Sequence, residues 1–573
     1  MKTISTKVRK FLFTLRLLAF AATVSAQYVN IPDAKFVSYL NTVVPSAMSG
    51  SQMDTTNAAV LSLKRIAVEN QGITDLTGVQ YFKSLITLDC SNVYPEPDTN
   101  RLTSLPLLPS TLDSLICGNT ILDSLPALPP AMVYISCNNN NLRGLPALLS
   151  GINYIDCSGN SSLDSLPTLP AALTILNCSD DGLKQLPALP AALSNLDCDV
   201  NQLDSLPALP ASLTTLTCQQ NTLDTLPTLP AALTYLSCYD NQIKNLPALP
   251  AALVTLICGN NLLTTLPTLD ASLQMLKCYY NGITVLPSLP ASLTYLDCSD
   301  NKLPVLPALP SSLGTLTCSY NLLPSLPALP ALPASLVYLD CTANLLPSLP
   351  ALPASLATLY CGLNQLPVLP ALPASLTYLD CSSNHLPVLP ALSASLNTLE
   401  CSGNKLPSLP ALPSALQLLD CSANPLSAGL PALPASLTSL TCTSDSLTSL
   451  PTLPVSLNNL TCDYNQLNTL PTLPAFLQAL SCTNNNISCF PVFPISLTDT
   501  TAFSIWSNPF HCLPNYVRAM VISILSYPLC GVGNVCGCPT ANGIVGFTYK
   551  DMNADCSKDS GDINLINIPM DLY

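Results

Sequence analysis

One 20-residue pattern constrains this chain more than any other feature of its sequence. Leu213–Ala232 reads LTTLTCQQNTLDTLPTLPAA, and the next 20 residues, LTYLSCYDNQIKNLPALPAA, keep its leucines, cysteine, asparagine and prolines in place. With few interruptions, L-x-x-L-x-C-x-x-N-x-L-x-x-L-P-x-L-P-x-x recurs from about Leu102 to Ile487. Repetition at a fixed period of this size is typical of solenoids, in which each coil contacts only its neighbours. We therefore expect a stack of coils in place of several globular domains.

The periodic positions predict how each coil folds. Leu213, Leu216 and Cys218 are expected to face inward from a short strand that pairs in parallel with the same strand one coil away. The asparagine three residues after the cysteine has two donors and an acceptor for backbone groups where the chain turns. Proline fixes φ and donates no hydrogen bond, so the LPxLP segment predicts extended chain, with Leu226 and Leu229 still facing inward. The predicted fold class is a leucine-rich-repeat solenoid with a parallel β-sheet on its concave side and an extended, polyproline-II-like convex side.

The LPxLP signature resembles the LPX-type leucine-rich repeats of the YopM- and IpaH-like group of bacterial secreted effectors, whose repeat reads LPxLPxxLxxLxVxxNxL. This chain differs in three respects: it has cysteine where that group has mostly valine, it lacks the C-terminal ubiquitin-ligase domain of the IpaH-like members, and its N terminus reads as a cleavable signal. The resemblance implies the fold and a protein-binding role, and it does not carry over the ligase activity.

The segments outside the repeats predict the domain boundaries. Met1–Ala26 combines a basic start, an apolar run and small residues before Gln27, which predicts a secretory signal peptide; its apolar run is shorter than the roughly 20 residues of a membrane span. Apolar residues at helical spacing in IPDAKFVSYLNTVV predict a capping helix over the end of the solenoid. The predicted domains are a signal peptide (1–26), an N-terminal cap (27–75), leucine-rich repeats (76–487), a cysteine-containing C-terminal cap (488–540) and a truncated SdrD B-like β module (541–573).

The last two segments are predicted by resemblance. Asn508-Pro509-Phe510 followed by cysteines resembles a cysteine-bearing leucine-rich-repeat cap, and disulfides are expected there in a pairing that the sequence leaves open. The candidate cysteines are Cys512, Cys530, Cys536 and Cys538. Ala541–Tyr573 resembles the opening of an SdrD B-like (CnaB-type) module of bacterial surface proteins, with a strand, an acidic loop and a second strand. So short a segment cannot bury a sandwich core, so we expect the start of a longer module; the alternative is a strand pair added to the cap.

Two further patterns raise the question of metal binding. Asp551, Asn553, Asp555, Ser557, Asp559 and Asp562 take the ligand positions of an EF-hand-like loop, which predicts a Ca2+ site at 551–562; the alternative is a solvated acidic turn. The second pattern is a ladder of 20 cysteines, from Cys90 to Cys482, one per coil. A linear row does not give zinc four converging ligands, and the spacing of strands exceeds the preferred Cβ separation of a disulfide. We therefore expect buried, reduced cysteines that act as small apolar residues.

Outward strand positions predict a binding surface on the concave side. Tyrosines recur at one outward position of the predicted strands, and carboxylates recur at the other. Tyrosine is enriched at protein interfaces. The predicted partner-binding residues are Tyr134, Tyr154, Asp156, Asp197, Tyr235, Tyr295, Asp297, Tyr338, Asp340, Tyr378, Asp380, Glu400 and Asp420. Such a surface suits a basic or hydroxyl-rich partner; the alternative is an ordinary solvated strand face.

Charge and composition limit the function. A formal net charge of −14 and a pI of about 4.3 argue against nucleic acid and anionic membrane surfaces as partners. Prolines interrupt every leucine-rich stretch, so no later membrane span is expected. The sequence has two histidines, His385 and His511, and no nucleophile or phosphate-binding motif, so no enzyme activity is expected. The predicted function is non-catalytic binding of a protein partner, in adhesion or host interaction, by a secreted or bacterial cell-surface protein; the alternative is carbohydrate binding by the same Tyr/Asp face.

Overall fold

The computed structural model describes residues 27–93, 99–326, 332–520, 522–531, 548–550 and 563–565. The chain divides into two compact units, Met1–Leu262 and Leu263–Tyr573. Several predicted features lie outside the described residues: the signal peptide at 1–26, Cys536 and Cys538, the calcium loop at 551–562, and most of the 541–573 module. These features remain predictions.

The first unit begins with a small cap that contains the expected helix. Helix α1 (Ala34–Val43) buries Phe36 and Leu40 completely. The Oδ1 atom of Asp33 caps this helix, accepting hydrogen bonds from the N–H groups of Lys35 (2.8 Å) and Phe36 (2.9 Å). Its Oδ2 atom accepts the N–H of Thr74 at 2.7 Å, which ties the cap to the first coil. Burial raises the pKa of Asp33, but these hydrogen bonds outweigh it and leave the pKa below its usual value.

Three short antiparallel strands and a second helix complete this cap. Strands β1 (Tyr28–Asn30), β2 (Met48–Ser49) and β3 (Gln52–Asp54) pair in the order β1-β3-β2. Helix α2 (Ala58–Ser62) follows them, and single 3-10 turns lie at Pro45–Ala47 and Val79–Tyr81.

The coils of the first unit place one three-residue strand each in a parallel sheet. These strands are β4 (Arg65–Ala67), β5 (Thr87–Asp89), β6 (Ser114–Ile116), β7 (Tyr134–Ser136), β8 (Tyr154–Asp156), β9 (Ile175–Asn177), β10 (Asn195–Asp197), β11 (Thr215–Thr217), β12 (Tyr235–Ser237) and β13 (Thr255–Ile257). Each pairs in parallel with the next, and the central leucines or isoleucines lie opposite one another, as Leu196 does with Leu216. The parallel sheet therefore starts at β4, inside the segment assigned to the N-terminal cap.

The second unit repeats this arrangement with its own strands. They are β14 (Met275–Lys277), β15 (Tyr295–Asp297), β16 (Thr315–Thr317), β17 (Tyr338–Asp340), β18 (Thr358–Tyr360), β19 (Tyr378–Asp380), β20 (Thr398–Glu400), β21 (Leu418–Asp420), β22 (Ser439–Thr441), β23 (Asn459–Thr461), β24 (Ala479–Ser481) and β25 (Phe503–Ser504). All neighbours pair in parallel. The predicted leucine-rich-repeat fold, with its parallel β-sheet, is confirmed.

The asparagine at each turn has the backbone partners that its position predicts. The Nδ2 atom of Asn221 donates to the carbonyls of Cys198 (3.0 Å), Cys218 (3.3 Å) and Gln219 (3.1 Å). Its Oδ1 atom accepts the N–H of Leu203 in the preceding coil at 3.0 Å. One buried side chain thus satisfies backbone groups of two coils, which explains why it recurs with the leucines.

The ladder cysteines lie in the core, as expected. Cys218 is fully buried, and its Sγ atom lies 3.6 Å from the carbonyl oxygen of Ser237 in the next coil. Burial raises the pKa of this thiol well above its usual value, and the neighbouring Cys238 and Asp199 raise it further. The thiolate is the nucleophilic form, so such a thiol is inert at neutral pH.

The proline-rich side of each coil is neither helix nor continuous strand. Leu226 and Leu229 are only 8% and 7% exposed, so they face the core as predicted. A serine that follows this segment fixes the coil to the one before it: the hydroxyl of Ser212 donates to the carbonyls of Ala191 (2.8 Å) and Leu193 (2.6 Å).

Aromatic residues and a disulfide close the end of the repeats in the second unit. Phe490 packs against Phe493 and Phe510, with ring centroids 5.4 and 5.1 Å away. Cys512 and Cys530, two of the predicted candidates, form a disulfide with Cα atoms 5.0 Å apart. Helix α3 (Ile522–Leu525) lies between them in sequence, and β26 (Thr548–Lys550) pairs antiparallel with β27 (Ile563–Leu565) beyond them. Within the described ranges, no helix is long and apolar enough to span a membrane.

Candidate binding face

The outward side of each sheet is formed by the first and third residues of its strands. The middle residue of each three-residue strand is buried, while the other two are half-buried in most strands, because successive side chains of a strand point to opposite faces. We call the set of first and third positions the strand face of that unit. Every predicted partner-binding residue lies on it: Tyr134, Tyr154, Asp156, Asp197 and Tyr235 in the first unit, and Tyr295, Asp297, Tyr338, Asp340, Tyr378, Asp380, Glu400 and Asp420 in the second.

In the first unit the structure brings two of these tyrosines together. Tyr134 and Tyr154 stack with ring centroids 4.2 Å apart and planes inclined by 9°. Burial, followed by the interaction with Tyr134, raises the pKa of Tyr154 to about 12, so its hydroxyl stays protonated at neutral pH. Asp156, on the same strand, accepts the hydroxyl of Ser158 at 2.7 Å.

The second unit contains a larger cluster on strands β17 to β21. We call it the tyrosine–carboxylate patch, and its members are Tyr338, Asp340, Tyr360, Tyr378, Asp380, Glu400 and Asp420. The ring of Tyr360 lies between the other two tyrosines, with its centroid 5.8 Å from that of Tyr338 and 4.6 Å from that of Tyr378. The hydroxyl of Tyr378 donates to Oε1 of Glu400 at 2.7 Å. Three aromatic rings and four carboxyl groups therefore share one continuous part of the sheet.

Tyr338 and Tyr378 remain hydrogen-bond donors over the physiological pH range. Burial raises the pKa of Tyr338 to about 12, with a further contribution from Asp340. Burial also raises the pKa of Tyr378, and its hydrogen bonds with Glu400 and Tyr360 raise it further.

Tyr360 was absent from the sequence prediction although it connects the other two rings. The prediction followed tyrosines at the first strand position, and Tyr360 occupies the third position, where the two neighbouring coils carry Asp. Its place two residues after Thr358 identifies it as outward-facing. A search of both outward columns for aromatic residues would have found it.

Three carboxyl groups of the patch lie directly beside one another, and no described residue forms an ion pair with them. In the register of the sheet, Asp380 is opposite Glu400, and Glu400 is opposite Asp420. One oxygen of each aspartate is used locally: Oδ1 of Asp380 and of Asp420 accepts the hydroxyl of the serine two residues later, at 2.5 and 2.7 Å. In the part of the chain that the structure describes, the one ion pair within 4.0 Å joins Arg65 and Asp89, far from here in sequence. Adjacent like charges of this kind oppose strand pairing.

A cation does occupy the same strand face a short way along the sheet. The Nζ atom of Lys277 lies 5.1 Å from the ring centroid of Tyr295. Lys277 is also opposite Asp297 in the strand register. The sequence prediction contained Tyr295 and Asp297 and missed this lysine, because it considered only tyrosines and acids.

Other candidate chemistry is not assembled by the described residues. Among them there is no group of three or more His, Cys, Asp or Glu side chains placed to hold a metal ion. His385 and His511 are both exposed, in a turn and in the C-terminal cap respectively.

Comparisons with known proteins show that the chain is similar to leucine-rich-repeat structures. No protein-family model matches the chain, and no curated protein matches it. Among solved structures, YopM from Yersinia enterocolitica is 32% identical over 87% of this chain and 99% of that chain, with a TM-score of 0.68. YopM from Yersinia pestis, described as a leucine-rich effector protein, is 30% identical over 70% of this chain and 97% of that chain, with a TM-score of 0.44. The plant peptide hormone receptor RGFR1, solved with RGF2, is 19% identical over 79% of this chain and 87% of that chain, with a TM-score of 0.50; this likeness concerns the fold.

Proposed function

Since this chain belongs to the YopM-like family of bacterial leucine-rich-repeat proteins, we propose that it is a non-catalytic scaffold that binds a protein partner through the strand face of its second unit. It acts as a secreted or cell-surface protein in adhesion or host interaction. The tyrosine–carboxylate patch carries this proposal. Tyrosine supplies a large, rigid contact area with a polar end, which is why it is frequent at the centres of interfaces.

Carbohydrate is the second candidate, because phenol and carboxyl groups also hydrogen-bond sugar hydroxyls. The carboxyl groups favour protein over sugar. Asp380, Glu400 and Asp420 lie on adjacent strands and lack a basic partner among the described residues. A neutral sugar leaves the repulsion among them uncompensated, whereas a protein segment with positive charge relieves it.

A paired display experiment tests the proposal. Phage-displayed random dodecapeptides are selected on the purified chain, and the same protein is applied to a glycan array. We expect enriched peptides whose affinity falls at least about tenfold in the Tyr360→Ala/Tyr378→Ala variant, the usual cost of losing central aromatic contacts. The matched control is Tyr280→Ala/Tyr320→Ala, which removes two tyrosines of the same unit that are 61% and 54% exposed and lie outside the strand face.

The two outcomes separate the candidates. Peptide binding that depends on Tyr360 and Tyr378 but not on Tyr280 and Tyr320 supports a protein-binding face. Glycan binding with the same dependence, in the absence of any enriched peptide, overturns the proposal and assigns the face to carbohydrate.

A further inference from the structure

We infer that the tyrosine–carboxylate patch recognises a basic protein segment in polyproline-II conformation, with a cationic side chain at every third residue. This inference rests on the proposed protein-binding function and names the class of partner. Three independent features of the second unit lead to it: the uncompensated charge of the patch, a lysine that already occupies an equivalent position on the face, and the spacing of the carboxyl groups.

The charge of the patch specifies the sign of its partner. The outward positions of β17 to β21 hold three tyrosines, three aspartates, one glutamate, two threonines and one leucine, and no lysine or arginine. Asp340 and Asp380 are both opposite Tyr360 in the register, one on each side, so the central ring is flanked by acids. Two acidic neighbours beside an aromatic ring suit a guanidinium or ammonium group, because such a cation is attracted to the carboxylates and to the face of the ring.

The chain itself shows how such a cation is accommodated. Lys277 places its ammonium nitrogen 5.1 Å from the centroid of the Tyr295 ring, with Asp297 as its strand neighbour. The patch contains the same Tyr-Leu-Asp strand twice, at Tyr338–Asp340 and at Tyr378–Asp380. Opposite Asp340, the position that corresponds to Lys277 is occupied by Thr317, which carries no charge. At Tyr295 the cation comes from the chain, whereas the outward positions of β17 to β21 contain none, so a partner has to supply it.

The spacing of the aspartates specifies the conformation of the partner. Asp340, Asp380 and Asp420 lie on alternate strands, and neighbouring strands are about 4.8 Å apart, so these carboxyl groups repeat about every 9.6 Å. A polyproline-II segment has three residues per turn and a rise of about 3.1 Å, so one of its faces repeats about every 9.3 Å. Side chains on one face of a β-strand repeat about every 6.7 Å and match neither one nor two strand spacings. A polyproline-II segment that crosses the strands thus places every third side chain at an aspartate.

Glu400 has a different role from the aspartates. It lies on the strand between Asp380 and Asp420, and it accepts the hydroxyl of Tyr378 at 2.7 Å. This hydrogen bond positions the Tyr378 ring beside Tyr360, where the two rings form the surface over which the segment passes.

Two synthetic peptides test the inference. The probe is fluorescein-labelled acetyl-(Arg-Pro-Pro)3-amide, in which proline favours the polyproline-II conformation; its comparator has the same composition with the three arginines consecutive. Fluorescence anisotropy with the full purified chain measures both affinities. We expect the spaced peptide to bind at least about tenfold more tightly than the clustered one, and its affinity to fall as salt screens the contact between about 0.05 and 0.15 M.

Substitutions assign the binding to the patch. The variant Asp340→Asn/Asp380→Asn/Asp420→Asn is expected to lose at least about tenfold in affinity for the spaced peptide. The control Asp204→Asn/Asp224→Asn removes two exposed carboxyl groups outside the strand face and is expected to bind like the unmodified protein. Circular dichroism spectra establish that both variants are folded.

Each result has a defined meaning. Equal affinity for the two peptides overturns the predicted spacing, and unchanged affinity in the triple variant overturns the predicted site. If neither peptide binds while display-selected peptides still require Tyr360 and Tyr378, the inference fails and the protein-binding function stands. If neither peptide binds and display yields no peptide either, both are overturned.

Discussion

At the scale of single residues, the ladder asparagine does the most to determine how each coil turns. Asn364 is 7% exposed, and its Nδ2 atom donates to the carbonyls of Cys341 (3.0 Å), Cys361 (3.2 Å) and Gly362 (3.0 Å). Its Oδ1 atom accepts the N–H of Leu346 at 3.1 Å. A side chain with fewer than two donors and one acceptor leaves at least one of these buried groups unsatisfied.

Replacement of this residue is expected to destabilise the protein strongly. Asn364→Ala leaves buried carbonyl and N–H groups without partners, and each such group costs about 1–3 kcal/mol, so we expect a loss of about 3 kcal/mol in the free energy of unfolding. The next residue, Gln365, is exposed, and Gln365→Ala is the matched control with an expected change below about 0.5 kcal/mol. Urea unfolding followed by circular dichroism measures both. A loss as small as that of the control would show that the hydrogen bonds of Asn364 contribute little.

The residue scale also shows where sequence reasoning succeeds. The role of the asparagine followed from its fixed distance to the cysteine, because a repeated position repeats its backbone surroundings. The cluster around Tyr360 did not follow, since ring contacts depend on side-chain torsions and on which residues happen to occupy adjacent coils. A periodic pattern predicts the scaffold that its repeated residues form. It carries no information about positions whose residue changes from coil to coil.

At the scale of the coil, two irregular coils have the same local structure. The steps from Cys157 to Cys178 and from Cys421 to Cys442 contain 21 residues, and in both cases the following ladder residue is aspartate, Asp181 or Asp445. Each aspartate accepts the N–H of the preceding ladder asparagine, at 2.7 Å from Asn160 and 2.9 Å from Asn424. In a regular coil the corresponding N–H of Asn221 donates to a backbone carbonyl of the next coil, at 3.3 Å.

The thiols explain why these two positions carry aspartate. The Sγ atom of Cys157 lies 3.7 Å from Oδ2 of Asp181, and that of Cys421 lies 3.8 Å from Oδ2 of Asp445. Both neighbours of the side chain are therefore donors, and a carboxyl group accepts through both of its oxygens. The sequence showed the substitution and the extra residue as separate irregularities, and the structure shows that they belong together.

Asp445 is expected to make the stability of its unit depend on pH. Burial raises its pKa from 3.8 to about 7, although the hydrogen bond from Asn424 opposes this shift. A carboxyl group with a raised folded pKa costs no stability below its unfolded pKa, and the cost grows as pH rises until it is complete above about 7. Asp445→Asn removes this charge, so the stability of the variant relative to the unmodified protein should rise by up to about 4 kcal/mol between pH 4 and pH 8.

Urea unfolding at pH 4, 6 and 8 measures this difference. Asp270→Asn is the control, because it removes an exposed carboxyl group of the same unit and reports the general effect of one charge. An Asp445→Asn variant whose advantage does not grow between pH 4 and pH 8 would show that Asp445 is not held neutral by burial.

At the scale of the whole molecule, the sequence predicted the interior better than the ends. Leucines at a constant period specify the core, and every coil that follows the period folds as expected. The ends depart because they lack that period: β4 joins the parallel sheet of the first unit from within the predicted N-terminal cap, and β25 joins that of the second unit from within the predicted C-terminal cap. There, Phe490 and Phe493 take over the buried positions that leucines fill elsewhere. An end is specified by individual contacts, which a repeating pattern does not contain.

The reactivity of the ladder cysteines reports whether the core of each unit is intact. Eight cysteines from Cys90 to Cys238 and ten from Cys298 to Cys482 are buried and carry thiols that are not joined in disulfides. Burial raises their pKa in nearly every case, as at Cys117 and Cys361, so neither access nor ionisation favours their reaction. We expect at least eighteen thiols to be silent towards Ellman's reagent at pH 8 in the native protein.

Denaturation without a reductant should expose these thiols together with the loss of secondary structure, because each becomes accessible only when its coil opens. The count by Ellman's reagent is compared with circular dichroism across a guanidinium titration. A second sample treated with a reductant adds thiols from disulfides such as Cys512–Cys530. Rapid reaction in the absence of denaturant would contradict the burial of the ladder. Fewer than eighteen thiols in the unfolded, unreduced protein would show that neighbouring coils are cross-linked, and the apolar role of the cysteines would then be wrong.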